Sequence, residues 1–325
     1  MSQGDLMKAI LHTRFGSPEL LQFGEVETPT PGVNEVLVKV SASSLNFGDV
    51  ALIKGQPFLI RLMGFGLFRP KHLIPGGDLA GVVEAVGEKV SQFHPGDSVF
   101  ADIGDAGMGA YAQYVVVPED VLVRKPENIT FEQAAAVPQA AVVALQGLRD
   151  NGELKAGDHV LINGASGGVG SFAVQIANAL GAEVTAVCSA KNHDLVSKLG
   201  ADHVIDYRQV DFTQQHERYD VIFDIVANRS ISKYMKVLTA KGRYVACAFN
   251  ASSLFFGGFL SKSNGKKASS LIHKPNRQDL AFIGDLLEQG KVVPVIDRTY
   301  PLSDISEAML YLDSGRHYGK IVITI

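Results

Sequence analysis

The sequence predicts an α/β protein in which an antiparallel barrel of short strands leads into a parallel sheet covered by helices. Three observations predict it. Short alternating strands crowd the first part of the chain, its texture changes near Pro126, and strands and helices alternate from Asp158 onward. Alternation of that kind, with apolar strands, implies a parallel sheet wrapped on both faces.

In the first part, Glu35–Ala42 (EVLVKVSA) alternates apolar and polar residues as a half-buried strand does. Asp78–Val90 repeats the pattern around glycines, and Asp97–Ala101 and Tyr111–Pro118 add shorter strands. Pro31-Gly32, Pro75-Gly76-Gly77 and Pro95-Gly96-Asp97 mark turns between them. Phe131–Leu148 is rich in alanine and reads as a helix, with Thr130 as its N-cap. Beyond it come the strand HVLIN, a helix over Val169–Leu180, the strand EVTAVC and a helix over His193–Leu199. DHVID, YDVIFDIV, a helix near Ser230–Leu238 and RYVACA follow. The Gly-, Ser- and Lys-rich stretch Phe255–Ser270 reads as a loop. The tail predicts helices over Arg277–Gln289 and Asp304–Asp313 and a closing strand, KIVITI.

Composition limits the functions available. With 325 residues, 46% hydrophobic and 20% charged, the chain has material for about two domains with real cores. Net charge is −4, from 30 basic against 34 acidic residues, and neither sign forms long blocks, so nucleic acid is not an expected partner. No run approaches the roughly 18 apolar residues of a membrane-spanning helix. Met1–Ile10 carries Asp5 and Lys8 and lacks the apolar region of a secretory signal. Two cysteines, Cys188 and Cys247, build neither a disulfide framework nor a thiolate metal site. The expected setting is cytoplasmic.

The sharpest motif is Leu161–Gly170, LINGASGGVG. A strand runs into Ala165-x-Gly167-x-x-Gly170 and a helix opens at once, with Ala173, Ile176, Ala177 and Leu180 on its apolar face. Glycines there allow a tight turn, close approach of a pyrophosphate and close helix–strand packing. The helix start, from Ser166 through Gly167, Gly168 and Val169 to Gly170, offers N–H groups and a favourable dipole to phosphates. Ala165 stands where the usual fingerprint has its first glycine, so the strand–turn–helix context carries the reading. A site for NAD usually places an acid about 20 residues further on, at the ribose 2′-hydroxyl. The second strand instead ends in Ser189-Ala190-Lys191, a hydroxyl and an ammonium suited to a 2′-phosphate, which favours NADPH. Lys191 also reads as a solvated lysine at a helix start.

Together PGGDLAGVVEAVG, PGDSVF, GAYAQYVVVP, INGASGGVGSFAVQIA, LGADHVIDY and GKIVITI resemble the quinone oxidoreductase (zeta-crystallin-like) branch of the medium-chain dehydrogenase/reductase superfamily, over almost the whole chain. The resemblance implies a GroES-like β-barrel catalytic domain, residues 1–127 and 275–325, with an inserted Rossmann domain, residues 128–274. It also implies an active site in the cleft between domains. In zinc-dependent members a ligand cysteine corresponds to Asn46 and a ligand histidine to Gly77. No Cys or His occurs over Val137–Gly147, and no lobe of four structural cysteines is present, so the expectation is a protein without zinc.

By the same likeness, Asn46 and Asp49 of Asn46-Phe47-Gly48-Asp49 line the nicotinamide and substrate pocket, Tyr207 flanks the adenosine 2′-phosphate beside Lys191, and Phe249 and Asn250 pass the nicotinamide. Asp49 as a helix cap and Phe249 as core are the plainer alternatives. The implied activity is hydride transfer from NADPH to a quinone or α,β-unsaturated carbonyl, with Asn46 as donor to the developing oxyanion and no side chain marked as general acid. A non-catalytic NADPH-binding structural or regulatory protein is the alternative of another class, and a zinc alcohol dehydrogenase is a third. The apolar stretch Pro57–Pro70, PFLIRLMGFGLFRP, reads as a lid over a hydrophobic substrate or as a shallow membrane contact, with Leu254–Leu260 able to join either. By analogy the expected assembly is a homodimer through Rossmann sheet edges.

Overall fold

The computed structural model describes residues 5–247, 260–263 and 265–325. The chain forms two compact units, one of Met1–Gln139, Pro275–Glu288 and Pro294–Ile325, the other of Ala140–Lys274 and Gln289–Val293.

In the first unit, β1 (Leu6–Leu11) and β2 (Gln22–Glu27) form an antiparallel ribbon. The hub is β3 (Glu35–Leu45), which leads into α1 (Phe47–Lys54). β4 (Asp78–Val86), β5 (Ser98–Asp102), β6 (Tyr114–Pro118) and β7 (Val123–Arg124) complete the barrel's N-terminal share. One edge of β3 pairs with β4, and its first half pairs with β6 on the other edge. Val36, Val38 and Val40 alternate inward and pack with Leu79, Val83 and Val99, the period of two that a pleated strand imposes.

The expected helix over Phe131–Leu148 is two helices, α2 (Phe131–Ala135) and α3 (Pro138–Gln146). Pro138 has no N–H for the preceding turn and begins a new helix instead. Thr130 caps α2, its hydroxyl accepting from the Gln133 N–H at 3.2 Å. The boundary between units falls at 139/140 rather than the expected 127/128, because α2 packs on β3 and β4.

The second unit follows as β8 (His159–Asn163), α4 (Gly168–Ala179), β9 (Glu183–Cys188), α5 (His193–Lys198), β10 (His203–Asp206), β11 (Tyr219–Asp224), α6 (Ile231–Lys236) and β12 (Leu238–Ala246). Of the expected loop over Phe255–Ser270, residues 255–259 and 264 lie outside the described residues, and the rest carries β13 (Leu260–Ser263) and β14 (Lys266–Ser270). β14 adds in parallel to the edge of β12, which supplies hydrogen-bond partners that composition does not reveal. The lysines at its start reach out, Lys266 Nζ to Met235 O at 2.6 Å and Lys267 Nζ to Glu153 at 3.2 Å. Sheet order is β10-β9-β8-β11-β12-β14-β13, parallel except for β13. This is the doubly wound order 3-2-1-4-5-6, with its switch point between β8 and β11.

The tail contributes α7 (Arg277–Glu288), β15 (Ile296–Pro301), α8 (Ile305–Asp313) and β16 (Lys320–Thr324). Residues 289–293 belong with the second unit, where the Gln175 amide bonds both N–H and C=O of Val293 at 2.8 and 3.0 Å. β16 pairs with the second half of β3, Ile321 opposite Leu45. Ile321 and Ile323 pack with Leu45, Val50 and Ile53, and Ile305 and Met309 of α8 close the same cluster. The chain's last strand is thereby built into its first unit.

Candidate active site

Two groups of candidate residues stand out, one in each unit. In the Rossmann unit, the turn after β8 lies at the switch point, where nucleotides bind outside the carboxyl ends of the strands. Of its four glycines, Gly164, Gly167 and Gly170 differ in what asks for glycine. Gly164 has φ +90°, the left-handed region that favours glycine. At Gly170 an added Cβ would fall 2.1 Å from Gly164 O, so glycine lets α4 approach the strand. Gly167 has φ −80° and an added Cβ would meet nothing nearer than 3.5 Å. Neither strain nor crowding asks for glycine there. The first N–H groups of α4, from Gly168, Val169 and Gly170, lie beside it without intrahelical acceptors, the arrangement that suits a phosphate.

The chain thus turns at Gly164, one residue before Ala165, which stands in place of the fingerprint's first glycine. Ala165 is buried, and both N–H groups at this corner, of Gly164 and Ala165, donate to Val187 O at 3.1 Å. Ser166 is held by Asn192, whose Nδ2 donates to its Oγ at 2.9 Å. Asn192 ties the turn to the end of β9, where Ser189 and Lys191 lie.

β9 and β10 run parallel with Cys188 opposite Asp206. Ser189 and Tyr207 are the next residues on each strand, and the Tyr207 N–H donates to Cys188 O at 3.3 Å. Sheet register thus brings these two residues to adjacent strand ends. Lys191 is exposed and Tyr207 is 45% exposed. The Arg208 guanidinium lies 5.7 Å from the Tyr207 ring, a second cation at this rim that sequence reasoning passed over. The nearest carboxylate on β10, Asp206, is buried and accepts the Arg208 N–H at 3.0 Å. The turn rests on a buried network: Asp224 accepts from Asn163 Nδ2 and from the Tyr244 hydroxyl, each at 2.8 Å. Phe249 and Asn250, expected beside the nicotinamide, lie outside the described residues.

In the barrel unit, Asn46 caps α1 at the end of β3 and centres a buried cluster. Its Nδ2 donates to Asp78 Oδ2 at 2.8 Å, and its Oδ1 accepts from Lys320 Nζ at 2.5 Å. The amide's orientation is fixed by these opposite partners. Lys320 also pairs with Asp78 at 3.2 Å, with the two side chains 3% and 0% exposed. Asp78 is satisfied further by Ser44 Oγ at 2.5 Å and by the Gln139 N–H at 2.9 Å. A buried ion pair holds only with such partners, since either charge alone would be costly.

Asp49 takes the capping place that was its alternative reading. Its Oδ2 accepts the Asn46 N–H at 2.7 Å and the Tyr111 hydroxyl at 3.0 Å, and the residue is 7% exposed. Burial, reinforced by the nearby Asp78 charge, pushes its carboxyl up to about 7, against the pull of the Asn46 N–H, the Tyr111 hydroxyl and Lys320. Burial likewise drives the Tyr111 hydroxyl well above its ordinary range. Lys320, Asp78, Ser44 and Tyr111 were not named from the sequence. The Lys–Asn contact spans 274 positions, and no local pattern announces it.

Comparison with known proteins bears on both units. Residues 32–127 match the family model of the alcohol dehydrogenase GroES-like domain, and residues 199–323 match that of a zinc-binding dehydrogenase. The chloroplast envelope quinone oxidoreductase homolog of Arabidopsis thaliana is 33% identical, over 98% of this chain and 99% of its own. The 2-methylene-furan-3-one reductase of Solanum lycopersicum is 35% identical, over 98% of this chain and 79% of its own. The solved quinone oxidoreductase of Coxiella burnetii superposes with a TM-score of 0.89 at 31% identity, covering 99% of this chain and 100% of that one. A barrel closed by the chain's own tail, a switch-point glycine turn and near-complete coverage at these identities agree, and the chain belongs to the quinone oxidoreductase branch of the medium-chain dehydrogenase/reductase superfamily.

Proposed function

We propose that this protein is an NADPH-dependent reductase that transfers hydride to a quinone or an α,β-unsaturated carbonyl compound, without zinc in the reaction. One observation supports it most: a switch-point glycine turn whose neighbouring strand ends present Ser189, Lys191 and Tyr207 and no exposed carboxylate where a 2′-hydroxyl would need one. The bound nicotinamide supplies the hydride. The protein's own part is to bind, to orient and to stabilise charge. Backbone N–H groups of Gly168, Val169 and Gly170 would hold the pyrophosphate, and Ser189, Lys191 and Arg208 the 2′-phosphate.

In the barrel unit, one N–H of the Asn46 amide is bonded to Asp78, and the amide has a second. That second N–H is the donor we assign to the acceptor oxygen as it gains charge. Lys320 and Asp78 hold the amide still, and Asp49 fixes its backbone. Asp49 is thus a positioning residue. The reading without zinc rests on the donor set: Asn46 and Gly77 are poor ligands, and the positive charge beside Asn46 and Asp78 is the Lys320 ammonium.

The stretch Pro57–Pro70 presents Phe58, Leu62 and Phe68 at 58, 60 and 88% exposure. Its charges, Arg61 and Arg69, are basic, and no acid occurs between Lys54 and Asp78. This apolar face suits a lipophilic acceptor or the surface of a bilayer. A homodimer formed through an edge of the Rossmann sheet, in the cytoplasm, belongs to the same proposal, and light scattering and cell fractionation test those two points.

The activity itself is tested by NADPH oxidation with 1,2-naphthoquinone and with a short and a long 2-alkenal, using NADH as control and metal-stripped protein. Turnover with at least one acceptor, faster with NADPH, is expected. NADPH binding with no turnover on any acceptor would instead favour a structural or regulatory protein. Shortening the loop tip raises KM for the long 2-alkenal if it is a lid; an unchanged KM with lost sedimentation on anionic vesicles makes it a membrane contact.

A further inference from the structure

At the end of the parallel sheet opposite the glycine turn, three neighbouring strands begin with potential metal ligands. β8 starts at His159, β9 at Glu183 and β10 at His203. Sheet register places His159 beside Glu183 and His203 beside Thr185. Glu183 and Thr185 are two apart on one strand and face the same way. All four side chains therefore share one face of the sheet. His203 Nε2 is 2.7 Å from Glu183 Oε1, and His159 Nε2 is 2.8 Å from Thr185 Oγ1. The His159 ring is set against Tyr219 edge-to-face, centroids 4.7 Å apart, and lies 6.0 Å from the His203 ring.

One ligand atom from each of His159, Glu183 and His203 lies within 4.8 Å of the others, and among the described residues this is the one such triple of His, Cys, Asp or Glu. Donors around a tetrahedral zinc-like ion at 2.0–2.1 Å stand about 3.3 Å apart. The His203–Glu183 separation of 2.7 Å is shorter than that and no pair exceeds 4.8 Å, a span that side-chain rotation covers. The ligands sit on paired strands, which fix the Cα positions. The existing His203–Glu183 contact is more than half exposed on both sides, so exchanging it for a metal bond sacrifices little. Carboxylates flank the group: Asp158 and Asp202 precede the two histidines, and Asp220 accepts the His159 N–H at 3.0 Å.

We propose that His159, Glu183 and His203 form a surface site for a zinc-class divalent transition ion. Two imidazoles and one carboxylate suit such an ion better than magnesium or calcium, which prefer oxygen donors. The fourth position is left to water. Such an ion would clip the starts of three neighbouring strands together, at the end of the sheet away from the nucleotide turn. The inference does not depend on the reductase reading.

The test is calorimetric titration of the full chain, without an affinity tag and stripped by chelator, with Zn²⁺. One ion per chain is expected, with Kd raised at least about tenfold in His203→Gln and in His159→Gln. At a hundredfold excess over Kd, Zn²⁺ should raise the thermal midpoint of the parent by about 3–5 °C and leave that of the His159→Gln/His203→Gln double variant unmoved. Absence of saturable binding, or equal Kd in a double variant that melts like the parent without metal, overturns the site.

Discussion

The glycine turn of the Rossmann unit and the Asn46 cluster of the barrel unit are built in opposite ways. The turn is made of backbone, from seven residues in a row, Gly164–Gly170, and its essential property is the absence of side chains. The cluster is made of side chains drawn from β3, the start of β4, and β16, with Lys320 lying 274 positions beyond Asn46. Backbone sites of the first kind break when an atom is added. Side-chain sites of the second kind break when a charge is removed.

Gly170→Val is the harshest way to test the first half of that comparison. Its Cβ would lie 2.1 Å from Gly164 O, a backbone atom that cannot rotate away. Loss of more than about 4 kcal/mol is expected, enough to abolish a folded Rossmann unit, as read by chemical denaturation. A variant as stable as the parent would mean that α4 and the strand pack more loosely than described.

Lys320→Met tests the second half. It leaves the Asp78 carboxylate buried without its cation, which should cost about 3–5 kcal/mol. Adding Asp78→Asn should recover much of that loss, because the remaining partners are neutral. If the two substitutions simply add, the ion pair is not the unit that holds Asn46.

A smaller effect separates the cap from the cluster. The Asp49 carboxyl is raised to about 7 in the fold from an ordinary value of 3.8. The folded chain therefore holds a proton that the unfolded chain has released, and this group's contribution falls as pH rises from about 4 to 7. Asp49→Asn removes that titration while keeping an oxygen for the Asn46 N–H. The stability difference, parent minus variant, should decline across that interval and be level above it. A difference flat from pH 4 to 8 would show that Asp49 ionises normally.

The same contrast explains what the sequence disclosed. Strands β8 and β9 were legible to the residue, because buried parallel strands are continuous apolar runs bounded by glycines. The nucleotide turn is legible for the same local reason, although the left-handed residue that turns the chain, Gly164, precedes the Ala165-x-Gly167-x-x-Gly170 fingerprint. Likeness puts Ser189, Lys191 and Tyr207 at one 2′-phosphate, and sheet register supplies the physical reason that Ser189 and Tyr207 follow adjacent strand ends. The Gly-, Ser- and Lys-rich composition around β14 reads as a loop, and the strand exists through β12's edge. The single helix read over Phe131–Leu148 ran through Pro138, an interruption visible in the sequence itself. Asn46 was found by likeness, but Lys320 and Asp78, which aim it, sit in strands that look like ordinary barrel core. Long-range partners of a buried amide leave no spacing to read.

The most direct test of the central claim is the ratio of kcat/KM for NADPH to that for NADH, measured in the parent and in Ser189→Glu/Lys191→Ala with the best quinone or enone acceptor. A carboxylate at the end of β9 should repel a 2′-phosphate and accept a 2′-hydroxyl. The account predicts a parent ratio well above one, falling by about 100-fold in the variant, which corresponds to about 2.8 kcal/mol of lost discrimination. A parent that uses NADH as well as NADPH, or a ratio unmoved by the double substitution, would contradict the 2′-phosphate site and the function proposed on it.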